Sequence, residues 1–180
     1  MNRPCSSAIL ILITCVAACA STPKVGYDYD PDAKIGTYRT YQWTERAQEE
    51  PGDKRVDNPL VDGRIRRVVT AQLHAKGYTV PADGRPDFYV TYHADVKDMM
   101  IGSSSQHYIG DLAHGTYTTL NDIRATNQGV LLVDVIDGAS NRLVWRGFAQ
   151  AEIDPSWSPE RRNERMARVI ADMFAFFPPK

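Results

Sequence analysis

The sequence predicts an α+β fold: a single sheet of about four or five mostly antiparallel strands, with two amphipathic helices packed on one face. Three observations carry that expectation. Two segments repeat apolar residues at helical spacing, one after Asn58 and one after Ser158. Between them lie segments with strand alternation or continuous apolar character. The turn-forming run Asp137-Gly138-Ala139-Ser140-Asn141 joins two of these into a hairpin. Helices separated by several strands do not make a regular βαβ array. Of the 180 residues, 43% are apolar and 24% charged, which excludes a mainly disordered chain and a polytopic membrane protein. With 21 basic and 22 acidic residues the net charge is −1, which argues against a nucleic-acid partner.

The N-terminus has the pattern of an export signal. Arg3 supplies a positive charge, and Ala8 to Ala18 is mostly apolar but too short to span a bilayer. Val16-Ala17-Ala18-Cys19 resembles the lipobox of bacterial lipoproteins. That resemblance implies a thioether-linked diacylglycerol on Cys19, cleavage before it and acylation of the new amino group. Several acyl chains make the attachment stable where one would not. The expected divisions are 1–18 as signal peptide, 19–32 as lipidated cysteine and flexible tether, and 33–180 as one globular domain. Ala20, where Asp would favour inner-membrane retention in Gram-negative sorting, points to the outer membrane, with the domain facing the periplasm. Cys5 and Cys15 leave with the signal, so the mature domain has neither a disulfide nor a cysteine nucleophile.

The elements follow in order. Ala20 to about Asp32 reads as a polar spacer. Gly36 to Trp43 reads as a strand, with Tyr41 and Trp43 on one face. Gln48 to Asp57, containing Pro51-Gly52, is a loop. Asn58 is a good helix N-cap and Pro59 suits the first helical position. Val61, Ile65, Val68, Val69 and Leu73 then form the apolar stripe, and Gly77 stops the helix. Arg64, Arg66 and Arg67 are expected on its solvated side, and His74 near the favourable end of the helix dipole. Asp87 to Val96 alternates, with Phe88, Val90, Tyr92, Ala94 and Val96 on one face. Gln128 to Ile136 is evenly apolar and reads as a central strand buried on both faces. Arg142 to Ile153 is its hairpin partner. The last helix starts at Ser158-Pro159, buries a stripe from Met166 to Phe177, and ends at Pro178-Pro179.

These pieces resemble a known family. Tyr29-Asp30-Pro31-Asp32, Tyr38-Arg39-Thr40-Tyr41-Gln42-Trp43, Lys76-Gly77-Tyr78, Pro86 to His93, Leu143 to Gly147 and the closing Phe177-Pro178-Pro179 stand in the order seen in bacterial lipoproteins of the domain of unknown function 4136 family. The resemblance implies an envelope lipoprotein with an α/β fold and no agreed activity.

The chemistry-bearing residues concentrate between Lys97 and Asn127, read as a long excursion from the sheet. Met99, Met100, Ile101, His107, Tyr108, Asp111 and His114 form the candidate interaction segment. Met99-Met100-Ile101 would be a sticky patch if exposed, or a short edge strand. Ser103 to His114 contains Ser, His and Asp, but no nucleophile elbow and no compact metal-ligand spacing. No catalytic residue, metal ligand or cofactor is therefore assigned. The leading expectation is a non-enzymatic binding or structural module, held on the membrane by its lipid anchor, with an envelope protein as partner. The alternative is a binder of a small or lipid-like ligand in a groove between sheet and helices, lined by tyrosines and tryptophans. A hydrolase or metal site in residues 97–127 ranks last.

Overall fold

A computed structural model describes residues 22–44, 53–109 and 116–179. The strands are β1 (Lys24–Tyr29), β2 (Tyr41–Trp43), β3 (Phe88–Ile109), β4 (Thr116–Asp137) and β5 (Leu143–Ile153); the helices are α1 (Pro59–Ala75) and α2 (Pro159–Phe174). All the strands belong to one sheet of order β1-β5-β4-β3-β2. The α+β class is as predicted, with one refinement: β2 runs parallel to β3, while the other three pairings are antiparallel. Its cause is α1, which lies between β2 and β3 in the chain and supplies the crossover that a parallel pair requires.

Both helices begin where the sequence places them. The Asn58 side chain accepts hydrogen bonds from the N–H groups of Leu60 and Val61, and the Ser158 side chain accepts one from Arg161, with proline in the first turn each time. Each such cap is worth about 1 kcal/mol. The α1 stripe buries Ile65, Val69 and Leu73, and Gly77 ends it at φ 88°, a left-handed conformation that favours glycine. The second helix stops earlier than expected, at Phe174, and the chain turns so that Phe177 enters the core separately.

Three further expectations are corrected. Lys24–Tyr29, assigned to the flexible tether 19–32, instead forms β1, paired from Lys24↔Gln150 to Tyr29↔Trp145. The strand expected over Gly36–Trp43 is confined to Tyr41–Trp43, because Ile35–Thr37 makes a single 3-10 turn. That turn buries Ile35, and the nearby Tyr38 donates its hydroxyl to Asp137 Oδ2 at 2.6 Å. The β4 strand is central, but only one of its faces is buried. Leu131, Val133 and Val135 face the helices, while Val130, Leu132 and Ile136 are only partly buried, on a face that no element covers among the described residues.

The excursion between Lys97 and Asn127 is the largest departure. Both strands continue in register, from Phe88↔Asp137 out to Ile109↔Thr116. The pairing of β5 with β4 ends at Ile153↔Asn127, and that of β2 with β3 at Trp43↔Val90. Beyond Asp98 and Asn127, therefore, the two strands pair only with each other among the described residues. The result is a two-stranded arm about 35 Å long, from eleven residues at ~3.3 Å each.

Candidate functional site

The space between sheet and helices is unequal at its two ends, and side-chain size is the reason. At one end the inward positions carry Phe88, Trp145, Phe174 and Phe177, with Tyr41 and Tyr78 beside them; all six are buried. Phe177 packs against Tyr78, Phe88, Trp145 and Phe174, with ring centroids 5.0–5.9 Å apart. Gly147 lets α2 sit low on the sheet here, since a Cβ at that position would lie 2.5 Å from the Met173 side chain. A carboxylate clasp closes the same end. Asp137 accepts from Tyr38 and, through its other oxygen, from the N–H groups of Ala139 and Ser140 and the Ser140 hydroxyl. These bonds, the Tyr38 one first, pull the Asp137 carboxyl down to about 2. Asp87 is likewise held below its ordinary value by the N–H groups of Arg39 and Thr40, each 2.8 Å away.

Along the same strands the inward positions then shrink. The β5 series runs Trp145, Gly147, Ala149, Ala151, Ile153; β3 ends its buried run at Ala94 and Val96; β4 offers Leu131 and Gly129. Small side chains cannot fill the gap below two helices, so a groove of about 290 Å³ is left open. Its floor is Ala94, Val96, Gly129, Leu131, Ala149, Ala151 and Ile153, and its walls are Val61 and Ile65 of α1 and Met166 and Val169 of α2. Gly129 is needed for this floor: the Ile153 side chain lies across it, 2.4 Å from where a Cβ would stand. The volume falls at the small end of the range for ligand pockets, enough for one slender apolar chain.

The rim is cationic and aromatic. Arg55, Arg64, Arg162 and Arg165 border it, together with Pro155 and Trp157. Arg64 donates to Asn163 Oδ1, and Arg162 donates to the Pro155 carbonyl oxygen at 2.7 Å. The guanidinium groups of Arg161 and Arg165 lie 4.8 and 5.0 Å from the Trp157 ring centroid. Arg55 is ion-paired. It pairs with Asp53 and Asp98, each at 2.6 Å, and these two carboxylates raise its affinity for its proton. It also donates to Asn127 Oδ1 at 3.2 Å, so one side chain ties the loop before α1 to both strands at the root of the arm. By strand alternation the other lining acids, Asp95 and Glu152, belong to the opposite face of the sheet.

The sequence-derived candidates fall on the arm rather than the groove. Met99 lies opposite Thr126 at its root and is 44% exposed. Met100 and Ile101 continue β3, so they lie in a two-stranded ribbon and not on an edge of the main sheet. His107 and Tyr108 stand near its far end, opposite Thr118 and Tyr117. Asp111 and His114 lie outside the described residues. Of the other histidines, His93 is exposed, and His74 Nε2 lies 3.1 Å from the Tyr41 hydroxyl.

The groove expected from the alternative reading is present, but its lining differs. Tyr38, Tyr41, Tyr78 and Trp145 crowd the closed end, and Trp157 alone among the tryptophans borders the opening. The residues that make it were missed because they sit on three strands and two helices. The available signal was the large-to-small gradient along alternate positions of Leu143–Ile153.

Comparison with known proteins agrees with this fold. Residues 25–179 match the family model described as Domain of unknown function (DUF4136). No curated protein sequence matches the chain. A PDZ domain protein from Parabacteroides distasonis superimposes with a TM-score of 0.58 at 15% identity, over 88% of this chain and 36% of that one. This chain thus spans about a third of that protein's length, and the likeness is one of fold. A PelC dodecamer from Paraburkholderia phytofirmans gives a TM-score of 0.44 at 10% identity, over 84% of this chain and 97% of that one. A PelC dodecamer from the same organism in another crystal form gives 0.46 at 8% identity, over 84% and 98%.

Proposed function

This chain belongs to the DUF4136 family, whose description assigns no activity, and we propose from its own surface that it is a non-enzymatic envelope module that binds a slender apolar ligand in the groove between sheet and helices. The observation that carries this reading is the open space of about 290 Å³ above an apolar floor of Ala94, Val96, Gly129, Leu131, Ala149, Ala151 and Ile153. Packed domains do not leave such space among aliphatic side chains unless it is costly to fill or useful to keep open. Cys19 of the lipobox, which lies outside the described residues, would anchor the module to the outer membrane, facing the periplasm. The arm supports a second, compatible role. A two-stranded ribbon whose edges pair with no other strand among the described residues is marginal alone in water and offers a template for strand addition by an envelope protein.

The groove reading is tested with the domain from residue 22 onward and a naphthylamine dye whose emission rises in apolar surroundings. Saturable one-to-one binding is expected. Ala151→Phe, which places a ring on the floor, should weaken it at least about tenfold, the equivalent of roughly 1.4 kcal/mol. Binding of equal strength by the filled variant would reject the groove as the site.

A further inference from the structure

Resting on that reading, we infer that the groove seats one acyl chain of an anionic membrane lipid, with the headgroup held by Arg64, Arg162 and Arg165. Three independent features meet at one end of the molecule. The groove opens there, between the N-terminal halves of both helices and the last residues of β5. The cationic rim borders that opening, and Asn163, the Pro155 carbonyl and Trp157 hold its guanidinium groups in place. The positive ends of the α1 and α2 dipoles lie at the same end and add to the attraction for an anion.

The third feature is the path of the chain. The first residue of β1, Lys24, pairs with Gln150 beside the groove floor. Because β1 starts at residue 24 and the tether is correspondingly short, only four residues, and so five Cα–Cα steps, separate Lys24 from Cys19. Fully extended, they reach at most about 17 Å. A lipid on Cys19 would therefore keep this end of the sheet, and not the closed aromatic end, near the headgroups. An acyl chain could pass from the bilayer into the groove while its anionic head stays at the rim. Neutral lipid would gain the same apolar contact without the ionic one, so preference for negative charge is the distinguishing property. Of the acids near this rim, Asp53 and Asp98 pair with Arg55, Glu152 accepts from the Thr126 hydroxyl, and Asp154 accepts from Ser156 and faces Arg161 and Arg162.

The test uses the full lipidated protein in vesicles of phosphatidylcholine. A small fraction of either phosphatidylglycerol or phosphatidylcholine carries a photoactivatable group on its acyl chain, and cross-linked peptides are mapped by mass spectrometry. Labelling is expected on groove peptides containing Ala151 and Met166, several-fold stronger from phosphatidylglycerol. Charge attraction screened by salt supports roughly a fivefold preference, the equivalent of about 1 kcal/mol in all. In an Arg64→Gln, Arg162→Gln, Arg165→Gln variant the preference should disappear while labelling by phosphatidylcholine persists, which also shows that the variant is folded. Equal groove labelling by the two lipids in the wild type would overturn the anionic-lipid inference and leave the groove reading standing. No groove labelling by either lipid, alongside dye binding by the soluble domain, would also overturn it; absence of both would overturn the groove reading itself.

Discussion

Phe177→Ala is expected to lower the stability of the domain by about 4 kcal/mol, the middle of the range for removing a buried aromatic ring. Phe177 is 1% exposed and touches the rings of Tyr78, Phe88, Trp145 and Phe174, which come from both helix ends and two strands. No neighbour can collapse into its place without leaving another. For a domain of this size the loss corresponds to a fall in Tm of roughly 8–16 °C. The neighbouring residue is the control. Phe176 is 43% exposed and only stacks on Tyr27, at 4.8 Å, so Phe176→Ala should cost less than about 1 kcal/mol. Thermal unfolding of the two variants decides it, and equal shifts would mean that the closed end is not the stabilising core.

Gly138→Ala is the second large effect, and a single methyl group causes it. A Cβ there would stand 2.1 Å from the Pro86 carbonyl oxygen and 2.8 Å from that of Asp87. Both are backbone atoms, so neither can swing aside as a flexible side chain would. The Gly138 N–H also donates to the Asp87 carbonyl at 2.7 Å, which fixes the close approach. Relief requires the end of β4 to move away from the start of β3, and with it the Asp137 clasp on Tyr38. A loss of about 3 kcal/mol is expected, comparable with other overpacked sites. Gly36→Ala, with nothing within 4 Å of the new methyl group, should be nearly neutral. Urea unfolding of both measures the difference, and a midpoint for Gly138→Ala equal to the wild type would refute the argument.

Much of the fold was legible, and the reasons are local. Asn58-Pro59 and Ser158-Pro159 are helix starts whose chemistry acts within one turn. The alternation of Phe88 to Val96 reports a buried face directly. The turn at Asp137–Asn141 was also legible as composition. Which residue does what there was not: Asn141 takes the positive φ, and Gly138 serves close backbone approach.

What remained hidden depends on pairing across the chain. Residues 98–109 and 116–126 carry no sequence alternation to distinguish a ribbon from a loop, and their pairing with each other is settled only across the chain. The first strand is an edge of six residues, interrupted by Gly26, which the Phe148 ring covers. Ala94, Gly129, Ala149 and Ala151 are unremarkable singly. They become a floor only when the register sets Ala94 opposite Leu131, Leu131 opposite Ala149, and Gly129 opposite Ala151. Arg64 and Arg162 lie on different helices and join one rim only through helix packing, as the contact of Arg64 with Asn163 shows.

The central claim is that the groove receives an acyl chain, and Met166 on its wall reports that directly. With the methionine methyl groups labelled with carbon-13, the resonance of Met166 should shift saturably as a short-chain fatty acid is added. That of Met173, buried under the closed end, should stay in place. A Met166 signal that does not move at millimolar ligand, or one that moves no more than that of Met173, would contradict the account.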